Sequence, residues 1–149
     1  MLKHLFSDCL VIGAFIFVSL LAVGCGRENI FDMHIEDVEI QVEAIDTAYS
    51  GEPLFLLRVS VIGFAGPTDC YGHHETDYLQ REDYAGQPLY RNGETLRIHI
   101  TASGSSGGTC GDAVSTHYET ILLGYCMPGT YTLKVNDFTK TFRVPFTDT

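Results

Sequence analysis

Cys70-Tyr71-Gly72-His73-His74-Glu75 gathers the side chains best suited to holding a metal ion. Zinc takes four nitrogen, sulfur or oxygen ligands in a tetrahedron, often from C-x2–4-C or H-x3–5-H spacings. Cys70 and His73 have a C-x2-H spacing, and Cys110 or Asp77 could complete the set. Two things oppose that chemistry. An oxidised Cys70 cannot ligate, and adjacent histidines on an extended chain point to opposite sides. The stretch is therefore read as a solvated loop. No metal and no other cofactor is assigned, and metal binding through Cys70, His73 and His74 stands as an alternative. His99 and His117 fall on predicted strands and are expected to face outwards.

The remaining candidate chemistry is thinner. A serine nucleophile needs an activating base and an oxyanion hole. Ser103, Ser105 and Ser106 lie among glycines, but no G-x-S-x-G elbow surrounds them. Gly104-Ser105-Ser106-Gly107-Gly108 lacks the lysine of a phosphate loop. Paired carboxylates for glycoside hydrolysis are available in so acidic a chain, yet tryptophan, the usual grip on a sugar, is absent. The chain is expected not to be an enzyme.

The elements that must position these residues are strands. Val38 to Ala44 alternates apolar and polar residues with period two, a half-buried strand with its acidic residues in water. Leu54 to Phe64 is apolar on both faces for part of its length, as a central strand requires. Residues 69–88 are polar with little periodicity and are read as a long loop with room for one short strand. Asn92-Gly93 between Leu89-Tyr90 and Leu96 predicts a tight hairpin, because both residues accept positive φ. Leu96, Ile98 and Ile100 then share one face. Residues 102–111 read as a glycine-serine loop, and Thr116 to Cys126 as another strand turned by Met127-Pro128-Gly129. Thr130 to Val135, a tight turn at Asn136-Asp137, and Phe138 to Val144 close the chain. No segment shows a convincing amphipathic helix.

The N-terminus carries an address. Lys3 and His4 precede an apolar run of about 14 residues from Leu10 to Val23. That is short of the ~20 residues a membrane-spanning helix needs, and it ends in small residues, as secretory signals do. Leu20-Leu21-Ala22-Val23-Gly24-Cys25 resembles the lipobox of bacterial lipoproteins. The resemblance implies cleavage before Cys25 and a diacylglyceryl group on its sulfur, with several acyl chains for lasting attachment. Asp8 in the signal and Ala22 where leucine is usual depart from the common pattern. Gly26 after the cysteine resembles the outer-membrane sorting pattern, which in a Gram-negative envelope implies the periplasmic face.

With Cys9 in the signal and Cys25 acylated, Cys70, Cys110 and Cys126 remain in an oxidising compartment where disulfides persist. At most one internal bridge can form. Cys70 and Cys110 are the expected pair, since both sit at the edges of long loops beside predicted strand ends. Closing about 40 residues is worth roughly 4 kcal/mol on the loop-entropy model. Cys110–Cys126 would be worth roughly 3 kcal/mol, too close to decide. Cys126 ends an apolar strand, so a buried free thiol is its expected fate.

Composition bounds the partners. The net charge of −10 is unchanged when residues 1–24 are removed, since Lys3 and Asp8 leave together. An acidic surface disfavours nucleic acid, and it leaves attachment to the membrane to the lipid at Cys25. About 125 residues remain, enough for one domain with a proper core. The segment from Pro128 to Val144, Pro-Gly-Thr-Tyr-Thr-Leu-Lys-Val-Asn-Asp followed by an alternating strand, resembles the closing hairpin of immunoglobulin-like and fibronectin-like domains of bacterial envelope proteins. The chain also resembles small envelope lipoproteins with one such domain. The resulting expectation is all-β: a signal segment over 1–24, a lipid-anchored linker over 25–34, and an immunoglobulin-like antiparallel β-sandwich of about seven strands over 35–149. It would act by binding or structural support, meeting a protein partner through loops 65–88 and 102–113. Besides the metal alternative, a small inhibitor of proteases or lysozyme-like enzymes fits the same features.

Overall fold

The computed structural model describes residues 28–67, 70–105 and 110–146. The expected signal segment and Cys25, the expected site of acylation, lie outside the described residues, as do residues 106–109 of the glycine-serine stretch. Nine strands are described: β1 (Glu28–Asp32), β2 (His34–Tyr49), β3 (Glu52–Pro67), β4 (Tyr71–Tyr78), β5 (Leu89–Tyr90), β6 (Thr95–Ser105), β7 (Val114–Cys126), β8 (Gly129–Val135) and β9 (Phe138–Val144). They form two sheets. The second is ordered β2-β3-β7-β5, with β3 central as its two-faced apolar sequence requires.

The first sheet is built on β6. β4 runs antiparallel along one side of it, from Tyr71 opposite Gly104 to Tyr78 opposite Ile98. The other side is shared. The carbonyls of Ile98 and Ile100, two residues apart, point the same way and accept from Asn136 N–H at 3.1 Å and Met33 N–H at 2.9 Å. β1 therefore covers Thr101–Ser105, and β8 runs parallel beside Thr95–Ile98 on that same side. β9 returns antiparallel to β8 through the tight turn at Asn136-Asp137, where Asn136 takes a left-handed φ of 51°.

Apolar residues from both inner faces make the core, among them Leu57, Val59 and Val61 of β3, Ile98 and Ile100 of β6, Leu123 of β7 and Leu133 of β8. Lys140 on β9 reaches across to the carbonyl of Val38 on β2 at 3.1 Å, closing one side of the stack. The opposite side, where β4 approaches β7, holds the candidate site.

Several expectations need correction. The stretch 25–34 is not all linker, because β1 joins the first sheet from Glu28 onward. Loops 65–88 and 102–113 are shorter than expected: β3 extends to Pro67, β4 occupies 71–78 and β6 continues to Ser105. β4 hid in the sequence because it is a polar edge strand with no fully buried residue. Asn92-Gly93 does not make a hairpin. Gly93 has a φ of 86° while Asn92 has none above zero, so the type I′ geometry is not met. The turn is instead a corner between sheets, with Asn92 Oδ1 accepting the Thr130 N–H at 2.8 Å.

The order of pairing also departs from the immunoglobulin expectation. Immunoglobulin sheets interleave their B–E and C–F pairs along the chain. Here the β4–β6 pair is nested within the β3–β7 pair. Strand alternation specifies which face is buried, not which strand is the neighbour.

Candidate functional site

The site grows from two inward-facing rows. On β7 the alternation that buries Leu123 and Ile121 continues to Glu119 and His117, which are half-buried at the sheet edge. His117 thus faces the other sheet, not solvent as expected. On β4, Tyr78 and Thr76 oppose the core residues Ile98 and Ile100. Unbroken alternation would bring His74 inward next. A bulge between His73 and Glu75 shifts the register, and His73 stands opposite the buried Ala102 instead. Bulges re-aim a side chain at the expense of local pairing. This one turns His73 toward β7 and His74 away from it, and both rings stay exposed.

The result is a polar relay joining the two sheets. The Thr76 hydroxyl donates to Glu119 Oε2 at 2.6 Å. Its one proton so committed, Thr76 accepts from His73 Nε2 at 2.8 Å. His117 Nε2 donates to the same Glu119 oxygen at 3.1 Å. The two imidazoles stack, with ring centroids 4.2 Å apart and planes 4° from parallel. Side-chain exposure is 18% for His117 and 32% for Glu119, while His73 is exposed, so the cluster is partly shielded and open to solvent on its β4 side.

The electrostatics follow from this packing. Burial and the neighbouring His117 hold the His73 imidazole below its ordinary value, with Glu119 opposing them. The proximity of the two rings thus disfavours the charged form of His73. Burial raises the Glu119 carboxyl, but the hydrogen bonds from Thr76 and His117 and the nearby imidazoles outweigh it, and the net shift is downward. Two imidazoles beside a carboxylate are a ligand set for a transition metal. Among the described residues, the ligand atoms of His73, His117 and Glu119 lie within 4.8 Å of one another.

The alternative metal set of Cys70, His73 and His74 does not assemble. Cys70 is bonded to Cys110, with Cα atoms 5.6 Å apart. The bond joins the start of β4 to the chain leading into β7. Cys126 is a free, buried thiol 3.6 Å from the Phe55 carbonyl oxygen, and burial pushes it up to about 12. His99 is exposed and lies 2.8 Å from Asp32 Oδ1. It borders an open groove of about 800 Å³ on the outer face of the first sheet, where Arg97 and Lys134 are register partners. Thr76, His117 and Glu119 were missed by sequence reasoning. The signal that could have found the last two is phase: 117 and 119 share the parity of Ile121 and Leu123.

Two sheets packed face to face, with these side chains between their edges, define a β-sandwich domain. Residues 85–144 match the family model of the ORF11 beta-sandwich domain. That match spans β5 to β9, taking in His117 and Glu119 and leaving out β4 with His73. No curated protein and no solved structure matched the chain.

Proposed function

We propose that this protein is a lipid-anchored, extracytoplasmic β-sandwich that acts by binding or structural support and not by catalysis. The observation that carries this reading is the Cys70–Cys110 disulfide, closing a sequence separation of 40. Disulfides of this kind persist in oxidising compartments. It supports export independently of the N-terminal sequence, whose lipobox resemblance places the anchor at Cys25. Kinship with immunoglobulin-like domains rests on the closing hairpin β8–β9 alone.

An anchor at Cys25 would bear on how the domain is oriented. Glu28 pairs with Ser105 at the end of the sandwich that also holds the disulfide. Only Gly26 and Arg27 separate Cys25 from β1, a reach of about 10 Å. An acylated Cys25 would therefore hold the disulfide end against the bilayer. Of the expected partner loops, the parts beside Cys70 and Cys110 would face lipid. Residues 79–88, packed at the opposite end through Tyr84 against Tyr49 and Tyr125, would face outwards with the groove beside Arg97 and Lys134.

Intact mass of protein extracted from its native envelope, with and without reduction and thiol alkylation, tests the proposal. The expected result is a lipid increment on a chain beginning at Cys25, with two of its three other cysteines protected until reduction. A chain without lipid and with three free thiols would overturn it.

A further inference from the structure

We propose that His73, His117 and Glu119 bind a divalent transition metal of the zinc class, which clips β4 of the first sheet to β7 of the second.

Three observations converge on this. The inner faces of a sandwich are normally apolar. Here the inward row of β7 ends in His117 and Glu119, and the facing row of β4 ends in Thr76 and His73. The bulge in β4 is a second, independent feature: it directs the exposed His73 toward β7, where it stacks on His117, at the place where regular alternation would have directed His74. Third, the three ligand atoms already lie within 4.8 Å of one another.

The ligand types select the ion. Two imidazoles and one carboxylate suit zinc and its neighbours, whereas calcium and magnesium prefer all-oxygen sets. Three protein ligands leave a tetrahedral position for water, as at open zinc sites. Nitrogen ligands at 2.0–2.1 Å in a tetrahedron lie about 3.4 Å apart. To close that distance the exposed His73 ring must give up its hydrogen bond to Thr76 and its parallel stack on His117 and swing inward. Metal ligation replaces the His117–Glu119 hydrogen bond. Thr76, within 2.6 Å of Glu119, then orients the carboxylate from outside the coordination sphere.

The ligands come from strands in different sheets, so the ion must stabilise the fold as well as bind to it. The site does not depend on the lipid anchor, and its failure would leave the envelope reading untouched.

The test uses the full chain purified in detergent without a polyhistidine tag. Zn²⁺ alone is titrated, with affinity read by calorimetry and stability by thermal melting. Zn²⁺ should raise the melting temperature of the wild type. H73A or H117A should weaken binding at least about 100-fold and abolish the shift, while T76V should weaken it about 10–100-fold. E119Q should fall between these. H74A should bind as the wild type does, since the bulge leaves His74 outside. H73N and H117N replace any alanine variant whose metal-free circular dichroism departs from the wild type. The proposal is overturned if Zn²⁺ leaves the melting temperature unchanged. It is equally overturned if binding survives H73A and H117A but is lost in H74A or H99A.

Discussion

Asn136 is where the first sheet is joined, and replacing it should unfasten that joint. Its Oδ1 accepts the Ile100 N–H at 2.9 Å, and its Nδ2 donates to the carbonyls of Met33 at 2.7 Å and Ile100 at 2.8 Å. These are backbone groups at the point where β8 leaves β6 and β1 takes its place. In Asn136→Ala the Ile100 carbonyl still accepts from Met33 N–H, but the Ile100 N–H and the Met33 carbonyl lose their partners. An unsatisfied buried group costs about 1–3 kcal/mol, and the site is only partly buried, so the two together cost about 2–4 kcal/mol. Alanine at a φ of 51° adds about 1 kcal/mol. The total of about 3–5 kcal/mol is a large share of a typical domain's stability. At ~2.1 cal/mol/K per residue over about 120 residues, it lowers the melting temperature by about 12–20 °C.

Urea denaturation and thermal melting measure this directly, and two further substitutions divide the causes. Asn136→Gly relieves the backbone strain and should recover about 1 kcal/mol of the loss. Asn136→Asp keeps an acceptor for Ile100 N–H but turns a carboxylate toward two carbonyls, so it should cost at least as much as alanine. An alanine variant within about 1 kcal/mol of the wild type would show that water replaces the side chain without penalty. A harmless aspartate would show that the donor role assigned to Nδ2 is wrong.

At the disulfide end, the Tyr71 ring lies between Gly104 of the first sheet and Gly66 of the second, and a methyl group on Gly104 would collide with its Cδ1 and Cε1. Gly104→Ala should cost about 1–3 kcal/mol through overpacking. Gly72→Ala, with open space at its Cβ position, should be neutral within about 0.5 kcal/mol; equal losses for the two in urea denaturation would refute the close-packing account. Cys126, with its thiol pushed up to about 12 by burial, should resist alkylation at pH 8 in the folded protein and react fully in denaturant. Rapid labelling of Cys126 in the native state would show that the end of β7 opens readily.

Much of the architecture was legible because a strand's side-chain period is a local property. Val38–Ala44 and Leu96–Ile100 display the alternation of half-buried strands and Leu54–Phe64 the two-faced apolar run of a central one, and each lies inside a longer observed strand. The turn at Asn136-Asp137 was legible for a similar reason, since asparagine tolerates the left-handed backbone found there. β4 was not, because an edge strand with polar residues on both faces carries no such period. Nor was the role of Asn92-Gly93. Turn chemistry says that the chain reverses, but whether the flanking strands then pair depends on which sheet each one joins.

What the sequence determined by itself was the all-β class and the pair of cysteines beside strand ends. The tertiary structure alone decided the partners. Nested pairing put β4 and β7 on the same side of the sandwich, a one-residue bulge chose His73 over His74, and the phase of β7 turned His117 and Glu119 to meet it. His73 and Glu119 are distant in sequence, and only the closing of one sheet over the other brings their side chains within reach. Long-range proximity of this kind depends on the packing of the whole chain and leaves no trace in the spacing of the residues involved.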